Sequence, residues 1–198
     1  LAAGSTHVWI DLPIGPQAKT KSTKEGEYLK ELFEAVGEGI GLKTYANLSN
    51  GCKPIGRGIG PVLEAMDVLD VLKNKRDAPQ DLREKSIEYA AKILEWSESV
   101  PANQGHSIAE RLLRSGEAYN KLQEIIDAQG KNSTDLVAGQ FTHDVLSSSS
   151  GEIEEMNIRC ISAIAIAAGA PLDHSAGVYL YQNVGGKVEK GEPLLRIH

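Results

Sequence analysis

The chain has 198 residues, 41% of them apolar and 24% charged, which is the usage of a globular protein of one or two domains. Its 21 Lys and Arg against 27 Asp and Glu leave a formal charge of −6, which argues against nucleic acid or an anionic membrane surface as partner and obliges any anionic ligand to find a local cation. No apolar run approaches the roughly 18 residues of a membrane span, LAAG is no signal peptide, and Cys52 and Cys160 form no CxxC pair, so the expectation is a cytoplasmic protein without a disulfide framework or a zinc ribbon.

His7 to Leu12 alternates as a short buried strand that Pro13 and Gly15 are expected to close. After the loop IGPQAKTKST, residues Tyr28, Leu29, Leu32, Phe33, Val36 and Ile40 fall at helical spacing, with Gly37, Gly39 and Gly41 marking the end. Leu42 to Leu48 then reads as a second strand, and strand, helix, strand in this order implies a parallel crossover in an α/β layer. From Gly60 the pattern turns helical: Val62 to Leu72 with Pro61 in its first turn, Leu82 to Trp96, a third helix around Ile108 and Leu113, and a fourth capped by Ser115 and stopped by Gly130. Beyond GKNSTD, strands are expected over Phe141 to Leu146 and Glu152 to Ile158, a helix over Asn157 to Ala168, and short strands with tight turns through Val184 to Ile197. The composition shift near residue 131 predicts two domains, 1–130 and 131–198. Both ends read as cuts within a longer chain, since LAAG runs straight into a strand and PLLRIH stops inside one.

Two loops carry cations. GCKPIGRGIGP, residues 51–61, leads into a helix whose amides could receive an anion beside Arg57, but it lacks the ending of a P-loop and the dinucleotide spacing, and alternating glycines equally serve a structural turn. IGPQAKT, residues 14–20, follows a strand end, where open α/β sheets present ligand-binding groups, and Lys19 is its cation; by spacing alone Lys19 also reads as a solvated surface lysine. His7, His106, His143 and His174 are scattered without a zincin pair, so no metal site is expected, and no nucleophile elbow supports a hydrolase triad.

AAGSTHVWIDLPIGPQAKT, CKPIGRGIGPVLEAMDVLDVL, RLLRSGEAYNKLQEIIDAQG and AIAAGAPLDHSAGVYLYQNVGGKVEKGEPLLRIH resemble, in order, blocks of the thymidine phosphorylase and AMP phosphorylase family. GPQAKT with PIGRGIGPVLEA is more similar to the type 2 thymidine phosphorylases and the archaeal AMP phosphorylases than to the short bacterial enzymes. The resemblance implies an α/β fold: the later part of a central α/β domain, then a small α+β C-terminal domain with a barrel-like hammerhead. It implies phosphorolysis of a pyrimidine nucleoside to free base and pentose 1-phosphate, or of a nucleoside monophosphate such as AMP. Inorganic phosphate is the implied co-substrate, with no organic cofactor or metal, and the full-length enzyme is expected to be a homo-oligomer. The catalytic residues are expected upstream of Leu1, so this chain alone is expected to be inactive. Lys19 is the position matching the substrate-binding lysine of the AMP phosphorylase loop, while Gln17 stands where a glycine is common. A non-catalytic reading also exists: VGGKVEKGEPLLRIH resembles the half-barrel of biotinyl and lipoyl carriers, though without a modifiable lysine on a following hairpin, and a scaffold role in oligomerisation is open.

Overall fold

A computed structural model describes residues 4–131 and 136–198. These fall into two compact units, Leu1–Pro54 and Ile55–His198.

The first unit is a strand, helix, strand crossover. β1 (His7–Ile14) pairs in parallel with β2 (Lys43–Asn50), His7 opposite Lys43 and Ile14 opposite Asn50, and α1 (Thr23–Gly39) connects them. Pro13 does not close β1 as expected; it lies within the strand, exposed and in register with Ser49. α1 starts where its chemistry dictates: the Ser22 hydroxyl accepts the Glu25 amide at 3.3 Å, while the Glu25 carboxylate accepts the Lys21 amide at 2.7 Å, a reciprocal cap that satisfies two donors at the helix start.

α1 ends at Gly39, within the expected glycine cluster, and Gly37 lies inside its last turn. A Cβ on Gly37 would stand 2.2 Å from the Thr44 hydroxyl, and one on Gly26, about three turns away, 2.8 Å from Ile14 Cδ1. The two buried glycines thus lie on the face that meets the strands, along with Glu34, whose carboxylate accepts the Ala46 amide at 3.2 Å. Of the apolar stripe Leu29 is half-buried, while Tyr28 and Val36 are each 61% exposed. α1 keeps the helical period of its apolar residues, but close backbone approach, not the apolar stripe, chose the buried face.

The second unit begins with β3 (Gly58–Ile59) and four helices, α2 (Pro61–Leu72), α3 (Gln80–Trp96), α4 (Gly105–Arg114) and α5 (Glu117–Ala128). Val71, Ala78, Ile87, Ala109 and Leu113 form their core. Then come β4 (His143–Leu146), β5 (Gly151–Glu152), α6 (Ile158–Ala168), β6 (Val178–Leu180), β7 (Lys187–Val188) and β8 (Pro193–Ile197). β3, β6, β8 and β4 make an antiparallel sheet in that order, and β5 pairs with β7. Val178 and Leu180 face a core shared with Ile161 and Ala165 of α6; burying each such aliphatic side chain is worth about 1.5–3 kcal/mol.

Two expectations change. Ser115 stands one residue before the cap of α5: it ends α4, its hydroxyl donating to the Leu112 carbonyl and accepting the Glu117 amide at 3.4 Å, while Gly116 in the left-handed region opens α5. Gly130 follows α5 at φ +86°, as a helix stop should. The strand expected over Glu152 to Ile158 is confined to Gly151–Glu152, because Asn157 caps α6 by accepting the Cys160 amide at 3.0 Å, and the strand ahead of it begins at His143 rather than Phe141. The compact units part at Pro54/Ile55, and β3, by pairing with β6, joins residues 58–59 to the C-terminal sheet. The GKNSTD segment proposed as a linker lies mostly outside the described residues.

Candidate functional site

The loop carrying Lys19 stands at the carboxyl end of β1, beside the carboxyl end of β2. Its base is closed by backbone: the Gly15 amide donates to the Thr20 carbonyl at 3.1 Å, the Ala18 amide to the Gly15 carbonyl at 3.1 Å, and the Gly51 amide to the Ile14 carbonyl at 2.8 Å. Gly15 is here because the two loops touch; a Cβ on it would lie 2.7 Å from the Gly51 carbonyl oxygen. Thr20, only 5% exposed, bridges back to Ile14 and anchors the far side. Between these fixed points Lys19 is exposed, and among the described residues its ammonium has no hydrogen bond or ion pair. Cys52 lies close by, its amide donating to Asn50 Oδ1 at 2.8 Å, and both cysteines are free and exposed.

The glycine-rich loop ahead of α2 is built differently. The buried Asp67 carboxylate reaches back from α2 and accepts the amides of Arg57 and Gly58 at 2.6 and 2.8 Å. The Gly60 amide donates to Glu64 at 3.0 Å, the Gly56 amide to Asp81 at 3.3 Å, and the Val62 amide to the His174 carbonyl at 3.1 Å. Carboxylates of this chain therefore occupy the amides that an external anion would need, and of the two readings of this loop the structural turn is the one built. The Arg57 guanidinium donates to the Tyr179 hydroxyl at 3.4 Å, a contact that raises its pKa, with burial opposing and Asp67 adding to the rise.

Other charged groups are likewise committed. Arg196 on β8 makes a two-pronged contact with Asp144 on β4, at 2.7 and 2.8 Å, over the ring of Tyr181. That hydrogen bond raises the pKa of Arg196 and lowers that of Asp144. Asp173 is lowered by accepting the hydroxyl and then the amide of Ser175. A cavity of 190 Å³ among α2 to α5 is lined by Val68, Leu72, Leu82, Ser86, Ile87 and Leu113, a mainly apolar lining unsuited to phosphate. Among the described residues no cluster of three His, Cys, Asp or Glu could hold a metal, and no helix is long and apolar enough to cross a membrane.

The comparisons bear on the whole chain. Residues 152–198 match the pyrimidine nucleoside phosphorylase C-terminal domain. All 198 residues align at 54% identity with a "Bifunctional ribose 1,5-bisphosphokinase-thymidine phosphorylase" of Roseobacter denitrificans. They align at 46% and 45% identity with proteins named "Putative thymidine phosphorylase" in Nitrobacter hamburgensis and Rhodopseudomonas palustris. Over its whole length the chain resembles thymidine phosphorylases. It spans 29%, 39% and 38% of the length of these three relatives. The family likeness read from the four sequence blocks is thereby shown, together with a mixed α/β architecture.

Sequence reasoning singled out Lys19 and missed what holds its loop and what fills the other. Glu64, an acidic residue in the first turn of α2, carried the weak signal that favours negative charge at a helix start. Asp67 and Asp81 carried none, because only folding sets them against amides that are 10 and 25 residues away in the chain.

Proposed function

We propose that this chain is part of a longer pentosyltransferase that cleaves a pyrimidine nucleoside with inorganic phosphate, and that Lys19 is one of its substrate-binding residues. In that reaction a phosphate oxygen bonds to C1′, the bond from C1′ to the base nitrogen breaks, and the base leaves with the bonding pair and takes up a proton. The enzyme's task is to hold two anionic or polar partners in line and to balance the charge that develops, which a fixed ammonium does well. The observation that carries the reading is an exposed, uncommitted lysine on a backbone-pinned loop at the carboxyl ends of two parallel strands, in a chain that resembles thymidine phosphorylases throughout. No organic cofactor or metal enters this scheme. The scheme places the protein in the cytoplasm as a homo-oligomer, with the strands after residue 140 contributing to a barrel-like hammerhead.

The test is kinetic. In the longer protein, Lys19→Ala should lower kcat/KM about 10- to 150-fold, the worth of one charge-assisted hydrogen bond in a partly closed cleft. A greater loss with a nucleoside monophosphate than with the matching nucleoside would mark AMP-type phosphorolysis through the 5′-phosphate. This chain alone should release no free base from thymidine, uridine or AMP with phosphate. Unchanged kinetics of Lys19→Ala with every substrate would remove Lys19 from the site.

A further inference from the structure

We infer that Lys21 is the positioning residue of the Lys19 loop, a role that rests on Lys19 being a substrate contact. Two residues beyond Lys19, the Lys21 ammonium turns back over the loop and donates to the Ala18 carbonyl at 2.6 Å and to the Pro16 carbonyl at 3.1 Å. The same residue's amide is held by Glu25 at the start of α1. Lys21 therefore ties the crown of the loop to the first turn of the helix, while Gly15, Gly51 and Thr20 tie its base to the strands.

The two lysines divide the work. Lys21 spends two of its three N–H bonds on carbonyls, while Lys19 spends none among the described residues. The carbonyl gripped most closely belongs to Ala18, the residue joined directly to Lys19, so the backbone from which the Lys19 stem departs is fixed on both sides, by Ala18 and by Thr20. Without Lys21 both carbonyls would be hydrated at little cost to folding, because the site is exposed. The loop crown would be freed, and a ligand would have to reorder it on binding. The loss should therefore fall on KM.

The experiment uses Lys21→Met, which keeps an unbranched stem and removes the donors, and Lys21→Arg, which restores them. In the ligand-free chain, amide hydrogen exchange at Ala18 and Gly15 should quicken about tenfold in Lys21→Met and return toward the wild-type rate in Lys21→Arg. In the longer protein, Lys21→Met should raise KM about five- to tenfold with kcat within about twofold, and Lys21→Arg should recover most of it. If Lys19→Ala lowers kcat/KM while Lys21→Met changes neither KM nor exchange, the positioning role falls and the assignment of Lys19 stands. If Lys19→Ala leaves kcat and KM unchanged with every substrate, both fall. A drop in kcat at constant KM for Lys21→Met would also overturn the role, since positioning of a binding loop does not predict it.

Discussion

The loops at residues 15–20 and 56–60 each combine a glycine held by close backbone approach, a proline in or beside the loop and a single strong cation, yet the fold uses them in opposite ways. In the second, Asp67, Glu64 and Asp81 occupy the amides and Tyr179 engages Arg57. In the first, the backbone closes on itself and on Lys21, leaving Lys19 uncommitted. A glycine-rich loop with a cation becomes a candidate site when its donors remain unspent. That depends on which acidic side chains the tertiary structure sends to it.

The contrast can be broken most severely at Gly58. A Cβ there would stand 2.4 Å from the backbone carbon of Leu63, so Gly58→Ala must push α2 away from β3 and should cost about 3 kcal/mol, seen as a lowered midpoint in urea. Next is Asp67→Ala, which leaves the amides of Arg57 and Gly58 without their acceptor and should cost about 2–3 kcal/mol by the same measurement. A loss below about 0.5 kcal/mol would mean that water replaces the carboxylate and that the loop is more open to anions than its hydrogen bonds imply.

A smaller effect is expected on acidification. Asp144 and Asp173 are held below their ordinary range by Arg196 and Ser175, so their contribution to stability is complete above that range and is lost as pH falls through the lowered folded-state values. Asp144→Asn should therefore be less stable than the wild type near pH 7, and the gap should close below about pH 4 in pH-dependent melts. The smallest effect belongs to Lys19. Lys19→Ala should shift folding stability by under about 0.5 kcal/mol, since its ammonium holds nothing together. A larger loss would make the 15–20 loop resemble the 56–60 loop and end the contrast.

By itself the sequence determined the parallel crossover of the first unit and the helical run from Pro61 to Ala128, because apolar period and turn residues are local signals. It also carried the resemblance to thymidine phosphorylases, through ordered blocks that no single motif supplies. Only the tertiary structure decided that Gly26 and Gly37, rather than Tyr28 and Val36, meet the strands, since how closely two backbones approach is not written in either one's period. It alone joined β3 to β6 across more than a hundred residues, and put the division between units at Pro54. It alone brought Asp67 to the amides of Arg57 and Gly58 and left Lys19 without a partner among the described residues, because a hydrogen bond requires its two atoms within about 3 Å and the chain reaches that distance only by folding.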